Sequence, residues 1–306
     1  MKDVGMKPDT LRSATAATRF YAPVDCLQRI ADRDTEKGDP QASARIAGIL
    51  AAKRTDELLP LCHPLPIHAA EVHFTIETDH VAIEAEVHTI GPTGVEMEAL
   101  TAASMAALTL YDMLKPYAEP EQLSIGTTHL LDKTGGKSHY PRRLKTALSA
   151  CVLMVSDPVA DGHKPDTAGR QVVDALTQAG FDPMDYQVLH DDPSAIEQAV
   201  DTAVAEQTSL IISVGGTGIG PKDRVVETVE PKLTTPMPGL METARAFGQK
   251  RTPYAVLSRG VSGFIDNSLT LTFPGSRSGA DETLAALLPS LIHVLEIHQR
   301  FARHTG

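Results

Sequence analysis

The sequence predicts two domains in succession: an α+β domain over residues 1–140 and an α/β domain with a covered, parallel-type sheet over residues 148–306. Three observations carry this. The chain has 306 residues, room for two domains at ~150 residues each. A period-2 hairpin pattern lies between Ala-rich helical stretches in the first block. In the second, short apolar runs alternate with helical ones. The blocks meet near residues 140–148, and Pro141 to Ala147, short and basic, reads as a linker over 141–147.

Asp39-Pro40 starts a helix that runs to Arg54: Asp accepts from free N–H groups and proline suits the first helical position. Val72, Phe74 and Ile76 alternate with Glu71, His73 and Thr75. After Thr78-Asp79-His80, Val81, Ile83, Ala85 and Val87 alternate with Glu84, Glu86 and His88. This is a hairpin with one buried face. Thr93-Gly94-Val95-Glu96 fits a capping box opening an Ala-rich helix that Pro116 stops. In the second block, Cys151–Val155, Tyr186–Leu189, Leu210–Val214, Tyr254–Leu257 and Leu269–Phe273 suit buried strands, and Ala280 to about Arg303 reads as a long helix.

Composition narrows the function. A net charge of −11, no Trp and 4% aromatic residues argue against a nucleic-acid partner, which needs a cationic surface or stacking platforms. No run of ~18 apolar residues occurs, so no membrane span is expected. Three scattered cysteines, Cys26, Cys62 and Cys151, make no disulfide framework, and a cytoplasmic location is expected.

The first block's chemistry gathers in Lys37-Gly38-Asp39, the loop Leu61-Cys62-His63-Pro64-Leu65-Pro66, Glu96 and Glu98, Asp112 and Lys115, and Lys133 to Ser138 with Lys137. Each has an ordinary alternative. A loop His is commonly just solvated, a Glu at a helix start commonly only caps it, as Glu96 would, and Asp112 with Lys115 makes an i,i+3 pair. Cys62, His63, His68, His73, His80 and His88 crowd one region, yet their spacing fits no common zinc pattern. A zinc-dependent hydrolase using Cys62 and His63 is the weaker alternative.

These strings, with Ala44-Arg45-Ile46-Ala47-Gly48, Thr93-Gly94-Val95-Glu96-Met97-Glu98-Ala99-Leu100-Thr101-Ala102 and Tyr111-Asp112-Met113, run in order across the block. In them the block resembles the cyclic pyranopterin monophosphate synthases of molybdenum-cofactor synthesis. The resemblance implies a ferredoxin-like α+β core and a hexamer or trimer of dimers. It implies conversion of a 3′,8-cyclised GTP triphosphate to cyclic pyranopterin monophosphate with release of pyrophosphate, and no cofactor. Lys37, Lys115 and Lys133 match the family's catalytic lysines, Asp112 its acid/base carboxylate, and Cys62 and His63 its site loop. Glu96, Glu98 and Lys137 match substrate-binding positions. Lys133 and Asp112 are expected to move protons, and Lys37 and Lys115 to hold phosphates. Because ~21 Å of helix separates Glu98 from Asp112, one site using both ends must combine groups from two subunits.

In the second block, Ser213-Val214-Gly215-Gly216-Thr217-Gly218-Ile219-Gly220-Pro221-Lys222-Asp223 follows a strand. Glycine N–H groups there form an anion cradle, though no Lys-Ser/Thr follows Gly220 and Pro221 breaks a dinucleotide register. Asp166-Thr167-Ala168-Gly169, Asp191-Asp192 and Pro274-Gly275-Ser276 also fall after strands, where open α/β sheets bind ligands. With Val155-Ser156-Asp157 and Leu257-Ser258-Arg259, these strings resemble the molybdopterin-binding domains, which include molybdopterin adenylyltransferase. The resemblance implies a three-layer α/β trimer transferring AMP from Mg-ATP to molybdopterin. Asp191 and Asp223 match its catalytic carboxylates and the expected Mg²⁺ ligands. Binding positions fall on Asp166, Gly215, Gly216, Thr217, Gly218, Ser258, Pro274, Gly275 and Ser276. Lys222 stands where the family usually has Arg, keeping the charge without the bidentate fork. Arg277 replaces a common proline. A non-catalytic pterin-binding and oligomerisation module is therefore the alternative for this block.

Overall fold

The computed structural model describes residues 1–136 and 139–304, with side chains through residue 300. Lys137 lies outside the described residues. Two compact units divide between Tyr140 and Pro141.

The first unit runs β1 (Thr10–Tyr21), α1 (Val24–Asp32), α2 (Pro40–Lys53), α3 (Thr55–Leu58), β2 (Ala69–Ile76), β3 (His80–Gly91), α4 (Glu96–Leu114), β4 (Ser124–Ile125) and β5 (His129–Thr134). Its antiparallel sheet has the order β2-β3-β1-β4, with β5 also on β1. The hairpin forms as its alternation predicts, Ile76 opposite Val81. Strand β1 turns Ala14, Ala16, Thr18 and Phe20 into the core. Small and hydroxylated residues hide that alternation in the sequence. Helices α2 and α4 cover the inward face, and a Cβ on Gly48 would stand 2.9 Å from Val72 Cγ2 and 3.0 Å from the Ala102 carbonyl. Only glycine lets the two helices and β2 close to that spacing.

Asp39 caps α2 by accepting the Ala42 N–H at 3.0 Å. The capping box at Thr93 does not form. The chain enters α4 through Val95, no side chain caps it, and the Glu96 carboxylate goes to Lys133 instead. Burial of Val95 sets that entry. Pro116 lies in the 3₁₀ turn that ends the helix.

The second unit runs β6 (Leu148–Val155), α5 (Asp157–Ala160), α6 (Ala168–Gln178), β7 (Phe181–Leu189), α7 (Pro193–Ala205), β8 (Leu210–Val214), α8 (Val225–Val229), β9 (Thr235–Pro236), α9 (Pro238–Gln249), β10 (Ser262–Ile265), β11 (Ser268–Phe273) and α10 (Arg277–His304). The sheet order is β7-β6-β8-β11-β10-β9. Strands β7, β6, β8 and β11 are parallel, while β10 is antiparallel to both its neighbours. Val172, Leu176, Phe247 and Leu287 from α6, α9 and α10 cover one face. Ile196, Val200, Val225 and Val229 from α7 and α8 cover the other. Both faces are buried, as a run of continuous apolar strands requires.

Tyr254–Leu257 is not a strand. It lies in a 3₁₀ turn, Pro253–Leu257, capped by Thr252, with Tyr254, Val256 and Leu257 exposed. A four-residue apolar run carries no period of its own; packing against α9 decides it. The sheet position is filled by β10, whose Ser and Gly conceal it in the sequence. Residues 141–147 are anchored on the second unit: Leu144 donates its N–H to the Ala179 carbonyl at 2.8 Å and buries its side chain in that core. Among the described residues no helix is long and apolar enough to cross a membrane.

Replacing Gly48 with Val should lower the stability of the first unit by ~1–3 kcal/mol, the usual cost of overpacking. Chemical denaturation reads this directly, and an unchanged midpoint would show that α2 and α4 are not held at this spacing.

Candidate functional site

Helix α4 carries chemistry at both ends. At its C-terminal end, Asp112 lies between two lysines. Lys37 Nζ, from the turn before α2, is 2.6 Å from Asp112 Oδ2 and 3.0 Å from the Asp112 carbonyl. Lys115 Nζ is 2.8 Å from Oδ1. The hydrogen bond from Lys115, then that from Lys37, brings the Asp112 carboxyl down to about 2, and the same carboxylate pushes Lys115 up. The result is an exposed, ionised carboxylate flanked by two ammonium groups, ready to exchange partners with a phosphate.

At the N-terminal end, Lys133 of β5 reaches Glu96 Oε1 at 3.0 Å. Burial pushes Glu96 up, but its own backbone N–H, Lys133 and Arg12 outweigh that and hold it below the usual range. Arg12 of β1 had no signal in the sequence beyond its place in a strand; its Nη2 donates to the Pro92 carbonyl at 3.5 Å, and its Nε is buried without a partner. Glu98 is 4% exposed, and burial, with Glu96 and Asp56 nearby, pushes it up. Burial, Glu98 and Asp56 likewise push up the Cys62 thiol, which suits a neutral thiol rather than a nucleophile. His63 Nε2 donates to the Lys2 carbonyl at 2.7 Å.

Within one chain, then, Lys37, Asp112 and Lys115 form one group, and Glu96 with Lys133 forms another, with Glu98 and Cys62 beside it. The helix between them does not bring them together. Among the described residues no three or more His, Cys, Asp or Glu side chains are grouped to hold a metal. His73, His80 and His88 pair instead with Glu71, Asp79 and Glu86.

In the second unit the loops after parallel strands β8 and β11 lie side by side. Gly215 donates its N–H to the Phe273 carbonyl at 3.0 Å, and a Cβ on Gly275 would stand 3.0 Å from Gly215 Cα. Gly215 and Gly216 have φ of 111° and 63°, a region that favours glycine. Side chains there would also collide with the Val155 carbonyl and with Val225. Arg259 ties the loop down, donating to the carbonyls of Gly218 at 2.7 Å and Asp223 at 3.0 Å and pairing with Glu227.

Three clefts border this loop, and two of them share its glycines. The larger, of about 520 Å³, is lined by Thr217, Gly218, Ser258, Pro274 and Ser276. The smaller, of about 190 Å³, is lined by Ser156, Lys164, Asp166, Asp191 and Gly215. Gly216, Asp223 and Gly275 border both. The two clefts thus open onto one backbone cradle.

The acids divide into distinct duties. Asp166 caps α6, accepting the N–H groups of Ala168, Gly169 and Arg170 and the Tyr186 hydroxyl. Asp192 caps α7 by accepting the Ala195 N–H. Asp157 accepts from Lys222 at 2.7 Å and from the Asp191 N–H at 3.0 Å; these bonds, Lys222 foremost, hold it at about 2. Asp223 accepts the Gly220 N–H at 2.7 Å. Asp191 Oδ1 is buried without a partner, and burial, then Asp157 and Asp223, push its carboxyl up. An orphaned carboxylate oxygen beside a phosphate cradle fits a divalent cation, since Mg²⁺ commonly takes one or two carboxylates and completes its shell with phosphates and water.

Fold and site together define a chain of two units, one carrying lysine–carboxylate groups and the other a glycine-rich backbone cradle. Residues 1–136 match the MoaC family, and residues 151–293 match a family described as a probable molybdopterin binding domain. The chain is 38% identical over 297 residues to the molybdenum cofactor biosynthesis bifunctional protein of Chlorobaculum tepidum, covering 96% of this chain and 92% of that one. Its first 140 or so residues resemble the cyclic pyranopterin monophosphate synthase of Heliobacterium modesticaldum, 51% identical over 145 residues, 46% of this chain and 90% of the relative. A molybdopterin biosynthesis protein from Mycobacterium abscessus is similar in structure, with a TM-score of 0.49 and 34% identity over 51% of this chain and 98% of that one. The chain belongs to the family of molybdenum cofactor biosynthesis bifunctional proteins.

The lysine pair yields a titration prediction. Because folding lowers the Asp112 pKa from its ordinary 3.8 to about 2, the pairing contributes fully above pH 3.8 and is lost as pH falls through about 2. Carboxyl-carbon NMR should find Asp112 ionised throughout pH 4–8, with Lys115→Met moving its midpoint upward. A wild-type midpoint at the ordinary carboxylate value would show that the three groups are not paired.

Proposed function

We propose that the first unit converts the 3′,8-cyclised GTP triphosphate to cyclic pyranopterin monophosphate, and that the second adenylylates molybdopterin. The observation that carries the first assignment is the pair of lysine–carboxylate groups held at opposite ends of α4. Closing the cyclic phosphate requires a hydroxyl oxygen to attack the α-phosphorus while pyrophosphate leaves and the hydroxyl proton passes to a base. Lys37 and Lys115 supply positive charge for the phosphates, stabilising charge where it develops. Asp112 and Lys133 are the groups placed to move protons during ring opening and reclosure. Glu96 and Glu98, with Cys62 and His63, line the other end.

Both ends serve one substrate if two chains of a homo-oligomer meet, each giving one end of α4. We read β1, the helices α1 to α3, β2, β3, α4 and β4, with the sheet order β2-β3-β1-β4, as the ferredoxin-like plan with β5 added, and a hexamer or trimer of dimers as the assembly. A cytoplasmic location fits these substrates.

In the second unit, the two clefts that share Gly216, Asp223 and Gly275 support a bond-forming reaction between two phosphate-bearing ligands. Molybdopterin in the larger cleft would present its terminal phosphate to the α-phosphorus of ATP in the smaller one. A new P–O–P bond forms as pyrophosphate leaves. Asp191 and Asp223 would hold Mg²⁺, which when bound neutralises phosphate charge. Lys164 in the smaller cleft and the cradle N–H groups orient the triphosphate. The alternative, a non-catalytic pterin-binding module, has no use for the unpartnered Asp191 carboxylate.

Two measurements test these assignments. Lys37→Ala and Lys133→Ala should each abolish conversion of the cyclised GTP triphosphate, and mixed oligomers of the two variants should regain part of the activity. No recovery in co-assembled oligomers would refute the composite site. Separately, the full chain with molybdopterin, Mg²⁺ and ATP should yield adenylylated pterin, and Asp191→Asn should lower that rate by about two orders of magnitude or more, the usual scale for removing transition-state charge stabilisation. Tight pterin binding by the wild-type chain without product would favour the module.

A further inference from the structure

The larger cleft of the second unit holds two acidic residues. Asp223 belongs to the glycine loop, and Glu282 lies on α10. Helix α10 turns Ser278, Gly279, Glu282 and Thr283 toward this cleft, a helical-face spacing. Asp281, next to Glu282, does not line it. Six residues beyond Ser276, Glu282 is ~9 Å further along the helix axis at ~1.5 Å per residue. That separates it from the phosphate cradle by the span of a fused-ring ligand.

Gly248 and Ala255 stand at the Glu282 end, where Glu282 Oε2 lies 3.7 Å from the place of a Cβ on Gly248. The same cleft is lined by the apolar Met241, Ala244 and Leu257 and by Arg245, Thr252 and Tyr254. Among the described residues, no hydrogen bond or ion pair is made to the Glu282 carboxylate. A ligand that fills this end removes water from the carboxylate, which costs free energy unless the ligand donates hydrogen bonds in return.

We propose that Glu282 reads the donor edge of a 2-amino-4-oxopyrimidine ring, the pterin head of the ligand, accepting from its ring N–H and exocyclic amino group. This rests on the reading of the larger cleft as the molybdopterin site and adds the residue that selects the ring. A carboxylate has two acceptor oxygens and the pterin edge two adjacent donors, a match of the bidentate kind. A ring with a carbonyl in place of the amino group turns an acceptor toward the carboxylate and is rejected. Glu282 thus sets specificity at the end of the cleft away from the bond-forming chemistry.

The test uses the full chain and two phosphate esters, 6-hydroxymethylpterin phosphate and the matching lumazine, which carries 2-oxo in place of 2-amino. Calorimetric titration should show wild type preferring the pterin ester by about tenfold or more, the scale of an unmade hydrogen bond to a charged group. Glu282→Gln should bring the ratio close to one, since the amide offers a donor to the 2-oxo group. Asp281→Asn should leave the ratio unchanged. If Glu282→Gln keeps the wild-type ratio, or wild type binds both esters equally, the proposal is overturned while the pterin reading of the cleft stands. If wild type binds neither ester, both fall. Guanosine monophosphate carries the same donor edge on a purine, and its tighter binding would move the ligand from pterin to guanine nucleotide and overturn the pterin assignment.

Discussion

The placing of the first unit's charged groups depends on α4 being long and buried along one side. Ala99, Ala102, Ala103, Ala106 and Ala107 pack it against the sheet and α2 with almost no exposure. Small side chains allow that close approach, and the helix in turn holds its charged ends apart. Glu96 and Lys133 cannot relax toward Asp112 because the rod between them is part of the core. Charged groups placed on such an element are held with precision, and within one chain the two groups stay apart.

The second unit solves a related problem with backbone rather than side chains. Parallel strands β8 and β11 end side by side, and their glycine loops touch because neither carries a Cβ at Gly215 or Gly275. Arg259 then fixes the loop by its carbonyls, which leaves the N–H groups turned to other partners. Charge around this cradle is sorted by burial. Asp157 is ionised and bound to Lys222, Asp166 is consumed by capping α6, and Asp191 is left buried and unsatisfied. Of these, only the last keeps an unpartnered buried oxygen, in the smaller cleft beside Gly216.

Much of this was legible in the sequence where a local rule applied. The hairpin alternation and the Asp39-Pro40 start each have one dominant physical reading and each took that form, and the glycine run after an apolar strand forms a loop with positive φ at Gly215 and Gly216. Local rules failed where tertiary context outweighed them. Glu96 left the capping box for Lys133, and Tyr254–Leu257 became a turn because four apolar residues have no period to enforce. Asp166 lines the smaller cleft after a strand, as its position suggests, while its oxygens also accept from the first turn of a helix. Arg12 and Glu282 carried no motif, and Arg259, though part of the Leu257-Ser258-Arg259 string, gave no sign of its partners, because the surroundings of all three come from segments distant in sequence.

The sequence by itself determined the identity of the chemical groups, their order and the two-domain plan, because these rest on residue type and short-range periodicity. Only the tertiary structure decided which groups meet. It put Lys37 with Asp112 and Lys133 with Glu96, kept those two groups apart, and joined two clefts at one glycine cradle. Contacts of this kind depend on strand order and helix packing across long sequence separations, where the spacing of residues along the chain carries no distance information.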